Sequence, residues 1–237
     1  MDGAPLERAI RDHFGNRSFE LVPEVVLADP RTSFDYVAFS RNAQGDVSDM
    51  IAIETQAIDI RGGGVGPAWR AWMSDQAHMW RDYFSEEAKL KGRKDTVAYG
   101  VNMANIYKRL GLQVATKGSL LKAIGVPFYV VMQDRPFRYL KKRIDFLEAS
   151  EGSAWDITFV TSEYTGNILD SGEHEFTHNS IIRTTLSDYT AALSADSRAT
   201  GDQREHFISR VLAKAKLAQA GADAVISSGR TRSLNDE

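Results

Sequence analysis

One strand-like run constrains this chain more than any other feature. Ile51-Ala52-Ile53-Glu54-Thr55-Gln56-Ala57-Ile58-Asp59-Ile60 is mostly apolar, yet it carries an acid and an amide two positions apart. Strand side chains alternate between faces, so Glu54 and Gln56 share one. A carboxylate inside such a run is expensive to bury without compensation, and a metal ion is a common compensator. Nineteen residues upstream of Glu54, Phe34-Asp35-Tyr36-Val37-Ala38-Phe39 sets a second carboxylate near the start of another short apolar run. Hard cations take oxygen ligands, and Mg²⁺ commonly uses one or two carboxylates while keeping several waters. Asp35 and Glu54 are therefore the candidate metal ligands, and the carbonyl between Glu54 and Gln56 offers a further oxygen. An amide neither carries positive charge nor takes a proton, so Gln56 is expected to orient a water or hold a second ion. Activation of a nucleophile then falls to metal-bound water. The structural alternative places Asp35 at a turn or strand start and Glu54 and Gln56 on a solvated sheet face.

Around this run the periodicity predicts a helix over 6–14, then strands over 19–27, 34–40 and 49–60. Beyond Gly62-Gly63-Gly64-Val65-Gly66-Pro67 longer helical segments are expected at 68–84 and 99–124. A buried strand over 126–132, a helix over 136–147, a strand over 155–161 and a final helix over 202–220 complete the pattern, with a polar tail from 227. The fold class is α/β, a mixed sheet with helices on both sides. A single domain over 1–237 is expected, with a catalytic core over about 1–135 and an elaboration over 136–237.

The chain has no cysteine, which excludes disulfides, thiolate metal sites and cysteine nucleophiles. Its N-terminus lacks the basic start and apolar stretch of a signal peptide, and no apolar run is long enough to cross a bilayer. These features are compatible with a cytoplasmic setting and no membrane partner. A formal net charge of −3 argues against nonspecific coating of nucleic acid, although Lys89–Lys94 and Arg135–Arg143 are basic clusters.

Phe34-Asp35-Tyr36-Val37, then Ile53-Glu54-Thr55-Gln56-Ala57-Ile58-Asp59 and the glycines at 62–64, resemble the core of the NotI-type restriction endonucleases, an ExQ variant of the PD-(D/E)xK nucleases. The segment from Asn102 to Gly118, with Lys108-Arg109-Leu110-Gly111-Leu112-Gln113 and Lys117-Gly118, is similar to the next segment of that family's core. The resemblance covers residues 19–135. It implies a nuclease-like fold with Asp35, Glu54 and Gln56 as the catalytic set and Mg²⁺ as cofactor. It further implies a type II restriction endonuclease, a homodimer cutting double-stranded DNA at a short palindrome. Founding members also carry a cysteine-ligated iron site, a module this cysteine-free chain lacks.

Other features weigh against or beside that reading. The glycine-rich segment at 62–66 lacks both the P-loop ending and the dinucleotide fingerprint, so it reads as a flexible turn leaving the strand, with close approach to a DNA backbone as the functional alternative. His174-Glu175-Phe176-Thr177-His178 matches HExxH, which makes a zinc metallopeptidase the rival function, with Glu205 or His206 as third ligand. On a strand, His174, Phe176 and His178 share one face and that zinc geometry fails. A noncatalytic DNA-binding protein on a nuclease fold is the third reading. Trp69, Trp72, Trp80 and Tyr83 recur near helical spacing, as a core stripe or dimer contact does. Asn179, Arg183 and Gln203 are of types that read base edges.

Overall fold

Among the described residues six strands form one mixed sheet in chain order, β1-β2-β3-β4-β5-β6. The computed structural model describes residues 3–56, 66–92, 103–196 and 204–216. Two units are distinguished, Met1–Asp196 and Ser197–Glu237. In the first, α1 (Gly3–Phe14) precedes an antiparallel meander of β1 (Glu20–Ala28), β2 (Arg31–Arg41) and β3 (Val47–Gln56). Next come α2 (Gly66–Met73), α3 (Trp80–Leu90) and the long α4 (Met103–Ala123), after which β4 (Phe128–Gln133) returns parallel to β3. The helix α5 (Asp134–Arg143) leads to β5 (Ile157–Ile168), parallel to β4, and β6 (His174–Thr184) closes the sheet antiparallel to β5. A last helix of this unit, α6, spans Leu186–Asp196. In the second unit residues 204–216 form a helix, α7.

The two faces of β4 explain the layering. Phe128, Val130 and Met132 belong to one core with α4 (Ile106, Leu110, Val114), α5 (Phe137, Leu140) and α6 (Tyr189). Tyr129 and Val131 belong to the other, beneath Ala9, Ile10 and Phe14 of α1. A strand buried on both faces reads as an unbroken apolar run, as this one does. The amphipathic α1 ends where Gly15, at φ 60, sends its N–H back to the Arg11 carbonyl at 2.8 Å.

The mixed α/β architecture with helices on both faces agrees with the sequence-based expectation. Several elements differ. The helix expected over 68–84 is two helices, because the chain breaks at Ser74-Asp75-Gln76, with Asp75 at φ 55. The helix expected to reach 147 stops at Arg143, since Ile144 leaves helical geometry and Phe146 turns into the core against Phe159 at 5.4 Å. β5 runs beyond 161 to Ile168, paired with β6 through Glu163–Thr177 and Tyr164–Phe176. The helix α6 is absent from the sequence-based pattern, although Thr185 caps it, bonded to the Asp188 carboxylate at 2.7 Å and accepting its N–H at 3.0 Å. Trp69 and Trp72 form no core stripe, being 61% and 45% exposed. Ala57–Ile60, Gly62–Gly64, Arg93, Lys94, Asn102, Gln203 and the polar tail lie outside the described residues.

Candidate active site

Two neighbouring strands bring Asp35 and Glu54 together. β2 pairs with β3 through Tyr36–Ile53 and Val37–Ala52, so Asp35 and Glu54 are the next positions outward in the same register. Thr55 fixes Asp35, donating its backbone N–H at 2.7 Å and its hydroxyl at 2.8 Å to Oδ2. Asp35 Oδ1 keeps no partner among the described residues.

Glu54 lies in the row of Ala52, Val130 and Met132, on the sheet face covered by α4. Its compensating charge comes from that helix. Lys117 Nζ donates to Glu54 Oε2 at 2.6 Å, with the two side chains 11% and 9% exposed. The same ammonium stands 5.6 Å from the centre of the Phe34 ring, a second favourable contact for a cation. Burial pushes the Glu54 carboxyl above its usual range, the nearby Asp35 charge pushes it further, and Lys117 and the Asp35 backbone pull it back. The solvated-face alternative for Glu54 is thereby overturned, because this carboxylate is buried and ion-paired. Gln56 is half-buried and sits opposite Met132 of β4, on the Glu54 side of the sheet.

Sequence reasoning missed Lys117, which lies 63 residues from its partner and on a helix. Its signal was chemical. A buried acid beside a second acid, with an amide in place of the usual strand lysine, leaves a positive charge to be supplied from elsewhere in the fold.

Asp35 and Glu54 are oxygen donors, the type that hard cations take. Among the described residues no group of three or more His, Asp or Glu side chains could hold a metal ion. Two carboxylates with water completing the shell is a common Mg²⁺ arrangement; Asp35 Oδ1, without a partner among the described residues, keeps its lone pairs, whereas Glu54 Oε2 accepts from Lys117.

The rival features fare differently. His174 to His178 lies on β6, where residues four apart are separated by about 13 Å along the chain, so the helical zinc arrangement is absent. Arg183 is committed to Asp12 through 2.8 and 2.7 Å bonds, beside a 2.8 Å bond from the Tyr129 hydroxyl. Arg70 and Lys91 both pair with Glu87, at 2.6 and 2.5 Å. Among the described residues no helix is long and apolar enough to cross a membrane. No family model matches this chain, and no curated protein does.

Proposed function

We propose that the chain is a Mg²⁺-dependent nuclease that hydrolyses phosphodiester bonds in double-stranded DNA, acting as a type II restriction endonuclease and homodimer at a short palindrome. The observation that carries this reading is the grouping of buried Glu54 with half-buried Asp35 and Lys117 on two adjacent strands and a helix. A mixed sheet flanked by helices is compatible with the nuclease resemblance of the sequence. Asp35 and Glu54 would hold Mg²⁺, which supplies charge neutralisation at the phosphate and lowers the pKa of a bound water. Thr55 holds Asp35 in one rotamer through its paired bonds. Lys117 brings the positive charge that Gln56 lacks, a preorganised donor for the charge that develops on phosphate oxygens. Gln56 orients the attacking water.

The test is cleavage of supercoiled plasmid in Mg²⁺. Glu54→Gln and Asp35→Asn are each expected to lower the rate by about 10²-fold or more, the scale of losing one preorganised electrostatic group. Cleavage by Glu54→Gln at the wild-type rate refutes the assignment.

A further inference from the structure

We infer that α5 is the strip along which a duplex DNA backbone lies as it reaches the Asp35–Glu54 site. The identity of the polyanion rests on the nuclease reading above; the strip itself rests on the helix. α5 carries five basic residues against one acid, Asp134, in a chain whose net charge is −3. Its inward side, Phe137 and Leu140 with Ile144 just beyond, packs into the same core as Ala52, Val130 and Met132. The helix therefore covers the sheet face to which Glu54 belongs.

Its outward side is of one sign. Arg135, Arg138 and Lys142 are exposed and recur at i, i+3 and i+7, with half-buried Tyr139 beside them. The other two cations are occupied. Lys141 bonds the Phe146 carbonyl and pairs with Asp145 and Glu148, and Arg143 lies over the Tyr107 ring at 4.1 Å. Arg135 and Lys142 have no side-chain partner among the described residues. Arg138, 74% exposed, shares one ion pair at 2.7 Å with Asp134, which is only 10% exposed, and its guanidinium keeps further donors on the solvent side. Acids flank the strip at both ends: at the helix start Asp134 is buried and Glu163 accepts the Arg135 backbone N–H at 3.4 Å, and past the helix end Asp145 and Glu148 pair with Lys141. Negative charge is favourable at the helix start and does not cancel the stripe further along.

Spacing suits a phosphate backbone. Seven residues of helix cover about 10 Å, and one DNA strand presents a charge every 3.4 Å of axis, so three cations face about three phosphates. The strip also begins near the end of the strand that carries Glu54 and Gln56. Met132 is the Cα partner of Gln56, and Arg135 follows three residues later, within about 15 Å of Gln56 by chain reach and strand spacing. A solvated polar face is the ordinary fate of a helix exterior, but such faces mix signs, and this one does not.

The experiment uses the full chain, a fluorescein-labelled duplex of mixed sequence and Ca²⁺ in place of Mg²⁺, with anisotropy read across a salt series. The triple variant Arg135→Gln/Arg138→Gln/Lys142→Gln is expected to lower the log–log salt slope by about 2.7 and affinity in 0.1 M salt by about 100-fold or more. Arg135→Gln/Lys142→Gln, which removes no side-chain partner among the described residues, should melt as wild type and lower the slope by about 1.8; the triple variant, which also takes the ion pair from buried Asp134, is read below its melting transition, and Arg135→Lys/Arg138→Lys should keep the slope. An unchanged slope and affinity in the triple variant overturns the strip even if plasmid is cut normally. Loss of duplex binding by the triple variant, in a protein that never cuts DNA, sustains the strip and overturns the nuclease reading. Wild type that ignores the duplex, or that binds a single-stranded RNA of equal length in its place, overturns the strip.

Discussion

Replacing Lys117 with methionine removes an ammonium and keeps most of the side-chain stem, so the effect reports the charge. The ion pair it breaks is 2.6 Å long between groups 11% and 9% exposed, close to the fully buried limit. Removing one partner of a buried pair costs about 3–5 kcal/mol, because the other charge is stranded. Here Glu54 has an escape, since it can bind a proton, and that places the expected loss near the lower figure, about 3 kcal/mol at neutral pH. In a unit of this size it corresponds to a fall in Tm of about 6–12 °C. The sign of the pH dependence follows from the carboxyl. Its pKa in the folded state is raised above the ordinary 4.5, so the native state binds a proton more tightly than the unfolded chain does. Stability from this group is fully present below the unfolded value and is lost as pH rises through the folded one. Without Lys117 the carboxyl climbs further. The deficit of Lys117→Met is therefore largest at pH 8 and narrows toward pH 5. Urea melts of wild type, Lys117→Met, Glu54→Gln and the double variant at both pH values measure it, with an expected coupling of about 2 kcal/mol or more at pH 8. Equal deficits at the two pH values, or a coupling below about 0.5 kcal/mol, refute the account.

Thr55→Val keeps the strand and the backbone donor but deletes the 2.8 Å hydroxyl bond to Asp35, which should lower stability by about 1–2 kcal/mol and slow plasmid cleavage. Asp12→Ala strands both Arg183 and the Tyr129 hydroxyl, so a loss of about 3 kcal/mol is expected in denaturant melts, against about 1 kcal/mol for Tyr129→Phe. At Gly118 an added Cβ meets Leu186 at 3.2 Å and Ile157 at 3.5 Å. Gly118→Val should therefore cost about 1–3 kcal/mol and, by shifting α4 beside Lys117, reduce cleavage by more than the stability loss explains; normal cleavage in a folded variant contradicts that coupling.

Local periodicity made most of the sheet legible. Phe128 to Met132 is buried on both faces and shows as a continuous apolar run, and the β2–β3 pair announced itself through alternation. Asp35 and Glu54 were readable for the same reason, since an acid in such a run violates its pattern. What escaped was structure specified from a distance. β5 extends past its apolar part because Tyr164 and Glu163 find partners on β6, which a window along one strand does not contain. α5 ends early because Phe146 is claimed by the aromatic cluster of Phe137, Phe159 and Tyr189. Lys117 is one of many lysines until the packing of α4 lays it against Glu54. α6 is a different case, because its Thr185-x-x-Asp188 capping signal is local and legible in the sequence itself.

The two acids and their counter-charge reach the centre by routes of very different length. Asp35 and Glu54 meet within one hairpin, whereas Lys117 arrives only when α4 docks across the sheet. During synthesis or after partial melting, a chain can hold the acid pair while missing its neutralising arm. Loosening α4 therefore withdraws the counter-charge from Glu54 while the β2–β3 pairing can persist, so the ion pair reports the docking of that helix.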